Sequence, residues 1–276
     1  MTVPLLALND LGVTVRTATG QRTAILNGAS LDIADGEVVA IIGPSGGGKS
    51  TLLRAILGLV RFTEGALAFR GDAIRRPLDL THRRLRAVTE AVFQDPVAAL
   101  NPHAKLRATI AEPLKAQGVA SLDCEALVEK MAKRMGLTPE LLDRRPEAVS
   151  IGQAQRACIA RALAPKPTLL VLDEPLSALD ALIAAEVAEL LVEVITESGP
   201  TVLFVSHDMR LVRRLASRVI VVEAGVVVED APVRRLLEAP QSTAARAIVD
   251  SDRRRQNAFA AARRPARAQG TAEAVA

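Results

Sequence analysis

Tryptophan and tyrosine are missing from this 276-residue chain, and phenylalanine occurs only five times. Without aromatic rings interleaved among its arginines the chain offers no stacking platforms for bases, so nucleic acid is not an expected partner. The arginine clusters, Arg75, Arg76, Arg83, Arg84 and Arg86 and then Arg253, Arg254, Arg255, Arg263, Arg264 and Arg267, read as solvated faces and a loose tail; attraction of the tail to anionic lipid headgroups is the other reading. Cysteine occurs twice, at Cys124 and Cys158, too far apart for ligand spacing, which fits a reducing cytoplasm. No apolar run approaches the roughly 18 residues of a membrane span; Val38–Ile42, Leu169–Leu172 and Val219–Val222 are strand-length. Met1–Asp10 lacks the basic start and long apolar core of a secretory signal. Any membrane role is therefore expected to be peripheral. The net charge of +4 is modest, and an apolar content of 49% is enough for one large core with a subdomain.

Apolar alternation at Leu5–Asn9, Gly12–Arg16 and Ala29–Ile33, with a polar turn around Thr19–Gln21, predicts an N-terminal antiparallel β flap. Glu37–Ile42 is a continuous apolar run that ends in a Gly-rich loop before the helical spacing of Ser50–Val60, the pattern of a buried parallel strand feeding a helix. A second such unit runs from the strand Thr168–Leu172 through a helix at Ala181–Thr196 and a Gly199-Pro200 turn to the strand Thr201–Val205. Helical patterns at Ile110–Gln117, Asp123–Met135 and Gln155–Ala164 predict a helical subdomain inserted at about residues 78–165. The expected architecture is an α/β chain: a core with a mostly parallel sheet around the Gly-rich loop, the β flap and the helical insertion, all within residues 1–240. Residues 241–276, rich in Ala and Arg, are expected to be a poorly ordered extension, weakest from Arg253 onward.

Gly43-Pro44-Ser45-Gly46-Gly47-Gly48-Lys49-Ser50 fits Gly, four residues, then Gly-Lys-Ser, in strand-to-helix context. Glycines let backbone N–H groups close around phosphate oxygens, and the helix N-terminus adds partial positive charge. Lys49 is expected to reach the β- and γ-phosphates, Ser50 to place its hydroxyl on Mg²⁺, and Thr51 to sit close by. The strand Leu169–Leu172 delivers Asp173 and Glu174 at its C-terminal edge, where such sheets bind ligands. Asp173 suits Mg²⁺ through its water shell, and Glu174 suits a general base for an attacking water.

A P-loop alone occurs in many unrelated proteins, so what lies around it decides the family. Ser150-Ile151-Gly152-Gln153-Ala154-Gln155-Arg156 resembles the signature loop of ATP-binding cassette (ABC) proteins, Ser177-Ala178-Leu179-Asp180 their D-loop, Ser206-His207-Asp208 their switch-histidine segment, and Gln94 in Phe93-Gln94-Asp95-Pro96 their Q-loop glutamine. With the P-loop and the Asp-Glu strand this makes six motifs in order, covering most of Asp35–Asp230. The resemblance implies an Mg²⁺-dependent ATPase in which two cassettes, of the same or different chains, pack head to tail. Each ATP then lies between one P-loop and the partner's Ser150, Gly152 and Gln153. It also implies that His207 contacts the γ-phosphate, that Gln94 takes part in catalysis and metal contact, and that Asp180 joins the two sites across the interface. His82 and His103 are read as structural.

Phe93–Pro102 looks like the extended Q-loop of cassettes serving dipeptide, oligopeptide and nickel importers, and Pro240–Ile248 resembles their C-terminal segment without its usual His and Tyr. That likeness implies a peripheral subunit on the cytoplasmic face of the inner membrane. Its partners would be transmembrane permease subunits, received at Val97–Pro102 and the helices after it, and indirectly an extracytoplasmic solute-binding protein. Two rival roles stand beside this one: an accessory cassette of a soluble enzyme assembly such as phosphonate breakdown, and a cassette acting on DNA or ribosomes. The latter group carries tandem cassettes or a long coiled coil between P-loop and signature, whereas here that interval is about 100 residues without sustained heptads. Two departures stand out. Ile151 replaces the first of two signature glycines, and a β-branched side chain resists positive φ and crowds close approach. Val15 occupies the region where the family places an aromatic ring against adenine, leaving only apolar contact.

Overall fold

The computed structural model describes residues 3–16, 20–77 and 79–262. Thr19 of the expected turn, Leu78 at the expected start of the insertion, and Arg263, Arg264 and Arg267 lie outside them. In chain order the elements are β1 (Leu6–Arg16), β2 (Arg22–Ile33), β3 (Val38–Ile42), α1 (Lys49–Ile56), β4 (Glu64–Phe69), β5 (Asp72–Ile74), α2 (Leu80–Ala87), β6 (Thr89–Val92), α3 (Leu106–Ala116), α4 (Ser121–Arg134), α5 (Pro139–Leu142), α6 (Ile151–Leu163), β7 (Leu169–Asp173), α7 (Ala181–Ser198), β8 (Thr201–Val205), α8 (Met209–Leu215), β9 (Arg218–Glu223), β10 (Val226–Pro232), α9 (Val233–Glu238) and α10 (Thr243–Ala262).

Two sheets result: an antiparallel one in the order β2-β1-β4-β5, and a six-stranded one in the order β10-β9-β3-β8-β7-β6. Strands β9, β3, β8, β7 and β6 run parallel, and β10 is an antiparallel edge. Because side chains alternate faces along a strand, the strands of the large sheet divide residue by residue between two cores. Val39, Ile41, Val171, Leu203 and Val205 join a core shared with the flap and α1. Ala40, Ile42, Leu170, Leu172, Val202 and Phe204 join another shared with α3, α4, α6, α7 and α10. Strands buried on both faces read as continuous apolar runs, which is why β3, β7 and β8 are visible in the sequence.

Helix starts follow side-chain chemistry. Asp180 accepts from the backbone N–H of Leu182 and Ile183, both at 3.1 Å, to open α7, and Gly199 ends it at φ 62°. Such a cap contributes about 1 kcal/mol.

Three expectations need correction. The helical insertion does not begin at residue 78: α2 precedes β6, which pairs with β7 at the edge of the large sheet, so the continuous helical stretch starts at α3. The flap contains β4 and β5 as well as the expected stretches, of which Leu5–Asn9 and Gly12–Arg16 form the single strand β1 and Ala29–Ile33 lies in β2. Residues 241–276 are not uniformly poorly ordered, since α10 runs to Ala262 with Ala244, Ala245 and Val249 buried. Those residues, with Ile248, recur at helical spacing, and alanine's small side chain hides the stripe from a reading tuned to large apolar residues.

At the far edge, Arg218 holds β9, β10 and the start of β3 together. It donates to both oxygens of Asp230 at 2.5 Å, to Glu37 Oε1 at 3.1 Å and to the Asp32 carbonyl at 2.9 Å. Asp230 first, and then Glu37, hold its guanidinium above the ordinary arginine range. Arg218→Ala leaves two carboxylates without their cation and is expected to lower the unfolding free energy by about 2 kcal/mol. Urea denaturation reads this as a lower midpoint with an unchanged slope.

Candidate functional site

The parallel register aligns three strand ends. Ile41 of β3 pairs with Val205 of β8, and Val205 pairs with Asp173 of β7. The loop starting at Gly43, the Ser206-His207 segment and the Asp173-Glu174 pair therefore emerge side by side at the C-terminal edge of the sheet. Two of the loop's glycines are sterically demanded. Gly43 has φ 150°, and a Cβ there would sit 2.0 Å from the Val222 carbonyl oxygen; Gly48 has φ 100°, and its Cβ would meet the Ile25 carbonyl at 2.9 Å. Pro44, Ser45 and Gly46 are exposed at the loop's rim, while Gly47, Gly48 and Lys49 are buried.

Lys49 opens α1 with its ammonium turned back into the loop, where Nζ donates to the carbonyls of Gly43 at 3.0 Å and Pro44 at 2.8 Å. Burial lowers its pKa from the ordinary lysine value, opposed by the negative charges of Glu174 and Asp173. Ser50 Oγ donates to Asp173 Oδ1 at 2.8 Å. Burial raises the Asp173 carboxyl, with the Ser50 hydrogen bond acting against that. Thr51 follows, partly buried on the same helix. Glu174 has φ 50°, a left-handed conformation that costs a non-glycine residue about 1–3 kcal/mol. It is held there by its N–H bond to the Val205 carbonyl at 3.0 Å and by Ser177 Oγ on its own carbonyl at 3.0 Å. The result aims Glu174 at His207, whose Nε2 lies 2.7 Å from Glu174 Oε1. A carboxylate and an imidazole thus stand together beside the glycine-rich loop.

Two hard oxygen donors, Ser50 and Asp173, already touch, which fits a small cation that takes oxygen ligands and keeps part of its water shell. Gln94 is exposed on the loop after β6 and makes no hydrogen bond to either. Among the described residues no cluster of three His, Cys, Asp or Glu side chains could hold a metal by itself.

The expected signature residues lie elsewhere. Ser150 caps α6 in a reciprocal box, accepting from the Gln153 N–H at 3.2 Å while its own N–H donates to Gln153 Oε1 at 3.0 Å. With Gly152, Leu179, Asp180 and Ile183 they line a cavity of about 420 Å³. A second cavity of about 420 Å³, lined by Gly43, Pro44, Ser45 and His207, shares no residue with it. Ile151 is the first residue of α6 with negative φ, so the conformational objection raised from sequence does not apply. It is 52% exposed beside Ser150, and only the crowding objection stands. Val15, on β1, is exposed and apolar. His82 is buried with Nε2 3.1 Å from the Ile56 carbonyl, and His103 is exposed.

A groove of about 320 Å³ opens beside β6, lined by Leu57, Leu59, Glu90, Phe93, Glu112 and Arg161 among others. Val97–Pro102 does not line it; α6 ties that loop down through Arg161 Nη1 to the Ala99 carbonyl at 2.8 Å and Cys158 Sγ to the Pro96 carbonyl at 3.6 Å. Burial pushes the Glu90 carboxyl up to about 7, with Arg161 opposing and Glu112 reinforcing the shift.

Residues 26–177 match the sequence model of the ABC transporter family. The nickel import ATP-binding protein NikE of Rhodospirillum rubrum is 41% identical over 237 residues, 83% of this chain and 85% of that protein. NikE of Brucella suis is 41% identical over 212 residues, 76% of this chain and 79% of that one. Among solved structures, the dimeric ATP-binding cassette MJ0796 bound to ADP and Pi superposes with a TM-score of 0.75 at 29% identity, over 83% of this chain and 99% of that one. The cbiO1 structure from Clostridium perfringens, part of the ABC transporter complex cbiONQ, gives 0.71 at 27% identity, over 95% and 96%.

Glu90 yields a signed prediction for the isolated chain. Its folded pKa lies above the unfolded value of about 4.3, so ionising it costs stability. That cost is absent below the unfolded value, grows as pH rises toward 7, and is complete above it. Glu90→Gln is therefore expected to match the parent near pH 4 and to exceed it by on the order of 1 kcal/mol above pH 7, after solvent screening. Thermal or urea unfolding across that pH range reads the difference.

Proposed function

Because the chain belongs to the ABC transporter family, we propose that it is the ATP-hydrolysing subunit of an importer, that two cassettes close head to tail around ATP, and that the energy drives uptake of a small solute. Nickel is the cargo named for the NikE relatives, and a nickel ion or a similarly small solute such as a peptide is the cargo this reading assigns. The observation that carries it is the meeting of Lys49, Ser50, Asp173, Glu174 and His207 at three adjacent strand ends, with Ser50 on Asp173 at 2.8 Å and His207 on Glu174 at 2.7 Å.

The chemistry follows from these groups. Backbone N–H groups of Gly46–Thr51 and the N-terminus of α1 take the phosphate oxygens, and Lys49 exchanges its carbonyl partners for the β- and γ-phosphates. Ser50 and Asp173, with Gln94, would hold magnesium, which would supply neutralisation of the charge on the phosphate oxygens. Glu174 accepts the proton of the attacking water, and His207, already bonded to Glu174, orients that carboxylate and faces the terminal phosphate. The signature residues Ser150, Gly152 and Gln153 of a second cassette approach from the opposite side, where the dipole of α6 favours the terminal phosphate. ATP thereby stabilises the closed dimer, and hydrolysis removes that support.

No helix of the described residues is long and apolar enough to cross a membrane. Peripheral docking on permease subunits at the cytoplasmic face, through the groove beside β6 and the Gln94 loop, joins hydrolysis to transport in this reading. The solute-binding protein acts on the permease from the other side.

Steady-state ATP turnover of the purified chain tests the core of the proposal. Glu174→Gln is expected to reduce turnover by roughly 100-fold or more while leaving ATP affinity close to the parent's. Undiminished turnover in that variant would exclude Glu174 as the general base.

A further inference from the structure

Helix α10 forms a wall of the phosphate-facing cleft that no motif predicts. Buried Ala244, Ala245 and Val249 seat it on the helical side of the large sheet. Asp252 makes an ion pair with Arg213 of α8, with side chains 13% and 29% exposed, and Gln256 Nε2 donates to Asp252 Oδ2 at 2.9 Å. Since α8 begins two residues after His207, the C-terminal helix is clamped to the helix that follows this histidine.

One turn beyond Asp252 stands Arg255. It lines the cavity that contains Gly43, Pro44, Ser45 and His207, and also a cavity of about 580 Å³ that contains Glu174, Ser177 and His207. The other cations nearby are occupied: Arg210 by Asp208 at 2.9 Å, Arg253 by the Leu237 carbonyl at 2.8 Å, and Arg254 by the Asp250 carbonyl at 3.3 Å. Among the described residues Arg255 forms no ion pair. An exposed arginine with no ion pair among the described residues, lining both the cavity of Gly43–Ser45 and that of Glu174 and His207, brings the planar fork of donors that phosphates accept in bidentate pairs.

The geometry points to Arg255 as a further nucleotide-binding residue, a cation supplied in cis that reaches the terminal phosphate of ATP, with Asp252 as the positioning residue that locks its helix onto α8. This rests on the nucleotide reading above and adds a discriminating contact. Lys49 and the loop N–H groups keep a β-phosphate partner in ADP, whereas Arg255 serves only the phosphate that ADP lacks.

Equilibrium titration of the full chain with fluorescent ATP and ADP analogues, under conditions without turnover, decides the matter. Arg255→Ala is expected to weaken ATP about tenfold, the loss of one charge-assisted contact, and to leave ADP within about twofold. Arg255→Lys should recover part of the ATP affinity, and Asp252→Asn should shift the ATP-to-ADP ratio in the same direction as Arg255→Ala. If Asp252→Asn fails to fold, the exposed Arg255 variants still decide. An unchanged ratio in Arg255→Ala, or equal losses for both nucleotides, overturns the assignment alone. A wild-type chain that binds neither nucleotide overturns the parent reading with it.

Discussion

Burying one ammonium group is the constraint around which the site is arranged. Lys49 is 5% exposed at the first position of α1, and a charge removed from water is costly unless anions or dipoles replace its hydration. Two loop carbonyls and the more distant Asp173 and Glu174 do part of that. To offer those carbonyls the loop must fold back on itself, which demands the left-handed and sterically closed positions of Gly43 and Gly48. The same folding brings Ser50 onto Asp173 and binds α1 to the end of β7. A phosphate group would supply negative charge to this ammonium directly, in a loop already folded around it.

A second consequence concerns distance within the fold. The phosphate loop sits at the end of β3, while Ser150 and Gln153 cap a helix of the insertion, and the cavities beside them have no residue in common. One chain cannot turn its own α6 toward its own loop without dismantling the core that α6 shares with α3 and the large sheet. Each chain nevertheless carries both halves. Surfaces of that kind are satisfied by a two-fold pair in which each copy supplies what the other lacks. Asp180, capping α7, lines the same cavity as Ser150 and Gln153.

Legibility in the sequence tracks the strength of local chemistry. Strands buried on both faces and a Gly-Lys-Ser loop are dense signals, and β3, β7 and β8 with Lys49, Ser50, Asp173 and Glu174 stand where residue patterns put them. Strand β6 has four residues, three of them only partly buried, and follows a helix, so its membership of the sheet depends on pairing with β7, a contact distant in sequence. Strand β4 opens on three exposed positions, Glu64, Gly65 and Ala66, and β5 has only three residues, so neither presents an apolar run. Helix α10 is obscured by composition: alanines that fill a tight interface look the same in sequence as alanines that fill nothing. At Ile151 the sequence suggests a loop, but the Ser150 cap has already begun a helix, and helical φ suits isoleucine. Arg255 carries no sequence signal apart from its place in a basic tail, and only the packing of α10 against α8 distinguishes it from its neighbours.

Everything proposed for hydrolysis depends on a site shared between two chains, and mixing two disabled chains tests this most directly. Lys49→Ala removes the phosphate-binding ammonium. Ser150→Asp keeps a residue able to cap α6 but sets a carboxylate against the terminal phosphate. Each variant alone is expected to be inactive. In a mixed pair, however, one site joins the intact loop of the Ser150→Asp chain to the intact signature of the Lys49→Ala chain. A shared site requires that ATP turnover return on mixing. Two folded, nucleotide-exposed variants that stay inactive together, or a Ser150→Asp chain that hydrolyses ATP unaided at the parent rate, would contradict it.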